Sequence, residues 1–297
     1  MSLSQNDMGR AFEYGIALSL SKILSLPITE NTYILVAKQC FNSSSVLEQQ
    51  NIIKASNQAV TFLVIHDNRL TKNNCQISLQ SDQRGREGDV RDVIVHNNTL
   101  NQDVGISAKN RHWALKHSRL SARIDFGSEW FGIKCADSYF REISPIFEEL
   151  KNRRYNKEKW RDIPDKKQRY YLPVLHAFQS EIKTLFENHG EVPSKLIKYL
   201  LGQYDYYKVI KENGEVSVLS FNIDNSLKWG DRLHLPTRII EISQKPDSDT
   251  TIIMTFDQGW QISFRIHSAS TMVEPSLKFD ITIIGSPGIS RHEIPYR

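Results

Sequence analysis

At 297 residues, with 39% hydrophobic and 24% charged side chains, the chain can build one large core or two modest ones and is too apolar for a disordered or fibrous protein. A net charge of +4 is too small to identify a nucleic-acid binder from bulk electrostatics, and no stretch approaches the roughly 20 apolar residues of a membrane span. Cys40, Cys75 and Cys135 lack the close spacing of a zinc site and read as buried free thiols in a reducing cytoplasm.

Residues 8–26 repeat apolar side chains at three- and four-residue spacing, which predicts an amphipathic helix ended by Pro27. A second helix is expected over 29–41. A third is expected over 44–65, where cap-type serines are followed by Glu48 in the first turn. ISLQSDQRGREGD predicts a loop, and VRDVIVH and QDVGISAK predict two short strands joined by the turn-rich NNTLN. Helices are expected over 110–122, over 137–153 with Pro145 as a break, and over 166–188 and 193–203. From about 205 the pattern turns to β: YYKVIK, VSVLSFNI, TRIIEIS, TTIIMTF, WQISFRIH and LKFDITIIG, separated by turn residues.

The fold class is therefore α/β, a small mixed sheet flanked by helices. The expected division is a helical N-terminal region over 1–80, a core with basic helices over 81–205 and a β-rich part over 206–297.

Within that core, Asp92 opens the apolar run Val93-Ile94-Val95, and Lys109 ends the strand GISAK seventeen residues later. That separation suffices for two strands and a turn. Alternation puts Gly105, Ser107 and Lys109 on one face, with Ser107 and Lys109 about 7 Å apart. Metal-assisted phosphodiester hydrolysis needs carboxylate and carbonyl oxygens for a hard cation, and a cationic group at the phosphate. Asp92 and the carbonyl of Ala108 are the candidate Mg²⁺ ligands, with Lys109 orienting the attacking water. The arrangement resembles that of the PD-(D/E)xK nucleases, with Ser107 where that class usually has an acid. Asp103 shares the face but lies roughly 13 Å from Ser107 along an extended strand. Asp89, Glu48, Glu87 and Glu13 are candidates for a second carboxylate, Asp89 and Glu48 ranking first.

Nine Lys/Arg against three acids over 151–169, and five bases with no acid over 105–123, are blocks able to neutralise phosphates. Arg111, His112, Lys116, His117 and Arg119 follow Lys109 directly. At the start of a helix they would form a phosphate site.

At GDVRDVIV, GISAKNRHWALKHSRLS, YLLGQYDYYKVI and SPGISRHEIPY, the sequence resembles the HaeIII-type restriction endonucleases. The resemblance implies a restriction-endonuclease-like core and Mg²⁺-dependent cleavage of double-stranded DNA at the palindrome GGCC, with blunt ends. Asp92 and Lys109 then take the roles of metal-binding carboxylate and catalytic lysine. A palindromic site implies a homodimer. Absence of a G-x-x-x-x-G-K-[ST] loop implies no NTP. The alternative, suggested by Ser107, is a non-catalytic sequence-specific DNA-binding protein. An HNH-type site at His96-Asn97-Asn98 lacks its second half.

Overall fold

The computed structural model describes residues 3–71, 74–81, 84, 88–111, 113–285 and 288–296. They fall into two compact units. One comprises residues up to 113 with 202–233 and the segment from 288, the other 114–201 with 234–287.

The first unit begins with three helices, α1 (Gln5–Leu24), α2 (Thr32–Ser43) and α3 (Val46–His66). Each starts where a side-chain oxygen takes an orphan amide: Ser4 accepts from Asp7 N, Asn31 from Ile34 N and Ser45 from Glu48 N. Their apolar faces pack on a six-stranded sheet of order β1-β2-β3-β5-β6-β11. The strands are β1 (Cys75–Leu79), β2 (Val93–Asn97), β3 (Gln102–Asn110), β5 (Tyr206–Lys211), β6 (Glu215–Phe221) and β11 (Arg291–Pro295). Neighbours are antiparallel except β3 and β5, which run parallel. A parallel pair needs a crossover, and the crossover here holds 111–205.

Phe12, Ile16, Leu20, Ile52 and Leu63 from the helices meet Val93, Val95, Val104, Ile106, Ala108 and Val209 from the sheet in one core. Residues alternating with these point to the opposite face. That face carries Asp92, Ser107, Lys109, Tyr206 and Lys208.

The second unit has a five-stranded sheet of order β4-β10-β9-β8-β7, all antiparallel. Its strands are β4 (Arg119–Leu120), β7 (Ile239–Gln244), β8 (Thr251–Phe256), β9 (Gln261–His267) and β10 (Leu277–Gly285). Its helices are α4 (Phe126–Phe131), α5 (Asp137–Tyr155), α6 (Leu172–Asn188) and α7 (Val192–Leu201), with a π turn at Lys167–Tyr171 leading into α6. Phe178 of α6 lies 4.8 Å from the ring of Phe279 and 6.0 Å from that of Phe264, joining helix to sheet. No helix among the described residues is long and apolar enough to cross a membrane.

The mixed α/β class agrees with the sequence reading, with local corrections. The segment 110–122 is not a helix. Among its described residues Lys116 bridges to Ile281 ahead of β4, because backbone groups of Leu115, Lys116 and Ser118 pair with the edge of β10. The loop expected from residue 77 starts inside β1. Pro145 stays within α5 without ending it. Strand β11 and helix α4 were not foreseen.

Candidate active site

Asp92 sits one residue before β2, and its amide still donates to Ile106 O at 2.9 Å. The carboxylate therefore projects at the strand's mouth, where β3 runs on past it. One oxygen, Oδ2, gathers three donors from β3: Ser107 Oγ at 3.0 Å, Ala108 N at 2.8 Å and Lys109 Nζ at 2.8 Å. The strand spacing read from sequence thus brings Asp92, Ser107, Ala108 and Lys109 together. A residue's N–H and C=O leave a strand on the same side, so the carbonyl of Ala108 faces the same edge as its amide. That edge thus offers two hard oxygen donors, the Asp92 carboxylate and the Ala108 carbonyl.

Those donors suit a cation that keeps most of its own waters, as Mg²⁺ does. No group of three or more His, Cys, Asp or Glu side chains able to hold a metal is found among the described residues.

The other proposed carboxylates have different partners. Asp89 is buried, and both its oxygens are taken by Arg91, whose Nε and Nη2 each lie 2.7 Å away; Gln80 adds a bond at 2.8 Å. Burial works to raise the pKa of Asp89, but the bonds from Arg91 and Gln80 outweigh it and hold the group below the ordinary carboxylate value. Glu48 meets Lys211 Nζ at 2.7 Å, and that lysine also reaches Asn110 Oδ1 at 3.3 Å. Asn110 alternates with Lys109, so this pair lies on the helix-covered face. Glu13 belongs to α1, which packs on that same face. Glu87 and His112 lie outside the described residues.

Of the basic residues, Arg111 stays in the first unit, exposed, with its amide on Lys211 O at 2.9 Å and its guanidinium on Asn213. Lys116, His117 and Arg119 fall in the second unit. Lys116 Nζ donates to Tyr199 O at 3.0 Å and lies 3.6 Å from that tyrosine's ring centre; burial pushes its pKa down to about 8. His117 Nδ1 lies 2.8 Å from Asp280 and Arg119 Nη1 2.8 Å from Glu274. Burial, then Lys278, lowers the pKa of His117.

Three residues beside the site were not placed at it by sequence reasoning. Lys208 stands opposite Ser107 in the parallel ladder and is 4% exposed, with Nζ on Trp113 O at 3.1 Å. Burial, followed by the like charge of Lys109, pushes its pKa down to about 7. A lysine inside the apolar string YYKVI was the available signal. Arg91 crosses the face above Gly105 with its guanidinium 4.0 Å from the ring centre of Tyr204. A Cβ at position 105 would stand 2.0 Å from Arg91 Cδ, so only glycine leaves that path open. Tyr206 is buried, and burial together with the charge of Asp92 raises its pKa.

Comparison with known proteins identifies the family. The model of the HaeIII restriction endonuclease family matches residues 9–287. The type II restriction enzyme HaeIII of Haemophilus aegyptius is 36% identical over 309 aligned positions, covering 97% of this chain and 96% of that one. Both matches span the strands that carry Asp92 and Lys109, and the chain belongs to the HaeIII restriction endonuclease family.

Proposed function

We propose that this type II restriction endonuclease cleaves double-stranded DNA at GGCC with Mg²⁺ as cofactor, using Asp92, Ala108 and Lys109. It works as a homodimer in the cytoplasm, its two-fold axis matched to the palindrome, and needs no NTP. The observation that carries the reading is the convergence of Ser107, Ala108 and Lys109 on one oxygen of Asp92.

In this mechanism the carboxylate of Asp92 and the carbonyl of Ala108 would hold the cation. When bound, Mg²⁺ would supply charge at the phosphate and lower the pKa of the attacking water. Ser107 keeps the carboxylate aimed through its hydroxyl bond. Lys109, on the same carboxylate, turns its ammonium to a phosphate oxygen and orients the water. Electrostatic positioning of this kind is the largest contribution a protein makes to phosphoryl chemistry. Within the expected division, 81–205 supplies the cleavage strands and 206–297 the recognition surface. Lys208 crosses that boundary, because β5 completes the site beside β3.

Digestion of a plasmid containing GGCC in the presence of Mg²⁺ tests this. Wild-type protein yields discrete fragments; Asp92→Ala and Lys109→Ala yield none. Plasmid that stays whole with wild-type protein, while gel shifts show sequence-selective binding, would identify a non-catalytic binder instead.

A further inference from the structure

The ladder sets four residues in one row across the sheet. Ser107 of β3 pairs with Lys208 of β5, Lys208 with Leu219 of β6, and Leu219 with Arg291 of the edge strand β11. His292 stacks on Phe62 of α3 with ring centres 4.5 Å apart, so it faces the helices. Its neighbours Arg291 and Glu293 therefore face the other way, on the side of Asp92 and Lys109.

Three strand spacings separate Ser107 from Arg291, about 14 Å. That is close to the ~12 Å width of the major groove of B-DNA. With that width and a depth of ~8.5 Å, a base edge on the groove floor stands roughly 10 Å from a bordering phosphate, so a phosphate at Lys109 brings it within reach of the long side chains at the far end of the row.

What stands there is a prepared pair of polar groups. The guanidinium of Arg291 lies 4.5 Å from the ring centre of Trp113. Trp113 is itself fixed, its indole N–H donating to Glu212 Oε1 at 2.7 Å and its carbonyl accepting from Lys208. A guanidinium held over an aromatic ring loses part of its freedom before a ligand arrives, which favours an oriented fork of donors. Arg291 also pairs with Glu293, both side chains being nearly half exposed. An exposed pair of this kind contributes little and opens readily.

We propose that Arg291 and Glu293 read a G·C base pair beside the scissile phosphate, Arg291 donating to guanine O6 and N7 and Glu293 accepting from the cytosine amino group. These are the donor and acceptor types that the major-groove edge of a G·C pair requires. The inference rests on the cleavage reading above and adds to it the residues that choose the sequence.

The test is a cycle of protein and base substitutions, read as equilibrium binding in Ca²⁺ to a duplex containing the sequence that wild-type protein cuts. Replacing each guanine in turn by 7-deazaguanine removes N7 alone. At one position it should weaken wild-type binding about tenfold, and Arg291→Gln should weaken binding comparably while losing its sensitivity to that base change. Glu293→Ala should relax discrimination between G·C and A·T at the same pair. Melting temperatures of both variants should match wild type, since both side chains are exposed.

An Arg291→Gln protein that keeps full sensitivity at every guanine overturns the proposal. So does one that weakens equally on an unrelated duplex with a salt slope reduced by about one, the mark of a phosphate contact. If wild type cuts plasmid under either result, only this inference is lost. If wild type neither cuts nor prefers any sequence, the cleavage reading falls with it.

Discussion

Lys109 Nζ lies 2.8 Å from Asp92 Oδ2, so the ammonium sits on the carboxylate assigned to the cation. Under the proposed mechanism, lysine and divalent ion would compete for it until a phosphate drew the lysine away. Replacing Lys109 by Met should lower the cleavage rate by about 10²–10⁴-fold, the range of a positioned proton-handling group. The same change should raise the affinity for Mn²⁺ several-fold without DNA, measured by paramagnetic resonance titration. Unchanged affinity would place the cation away from Asp92.

Glu48 offers a separate test of which carboxylates bind metal. Its partner Lys211 is only 1% exposed, and removing one member of such a pair strands a charge in the core. Glu48→Gln should cost roughly 3 kcal/mol in urea denaturation, while the folded fraction keeps its Mg²⁺ requirement unchanged. Loss of cleavage at full stability would instead make Glu48 a ligand.

Gly105→Ala places a methyl group in the path of Arg91, which Asp89 and Tyr204 hold from two sides. Overpacking at such a point costs roughly 1–3 kcal/mol, visible as a lower urea midpoint. A neutral result would show that Arg91 can leave its seat freely.

Asp280 in the second unit gathers Arg265 at 2.6 Å, His117 at 2.8 Å and His267 at 3.1 Å, with Lys278 at 3.9 Å. Burial works to raise its pKa, but the bond from Arg265 and the charge of His267 prevail and bring it down to about 2. A depressed carboxylate favours the folded state above its unfolded pKa of 3.8, and that contribution fades as pH falls toward 2. Asp280→Asn should therefore cost roughly 2 kcal/mol near pH 7 and progressively less below pH 4. Stability curves of the two proteins that stay parallel down to pH 2 would contradict the assignment.

Sequence periodicity located the elements that depend on neighbours in the chain. The three N-terminal helices carry their own caps, and the Asp92-to-Lys109 hairpin is short enough for spacing alone to put both groups on one face. What it could not see is long-range pairing. Nothing local marks β3 and β5 as adjacent, so Lys208 was not connected with Ser107, and nothing marks β11 as an edge of the same sheet. Asp89 looked available because its partner, Arg91, is adjacent to Asp92 and was read only as part of a strand. The segment 110–122 has helix-compatible composition, but Lys116 pairs with Ile281 in its place, an instance of tertiary contacts overriding propensity.

The parallel pairing of Ser107 with Lys208 spans 208 − 107 = 101 positions. At ribosomal speeds of about 5–20 residues per second, roughly 5–20 seconds separate the synthesis of these two partners. Through that interval Asp92 and Lys109 have been made but lack the strand that completes their surroundings. The sheet beneath those two side chains thus gains its neighbouring strand late, and the delay is written into the order of its strands.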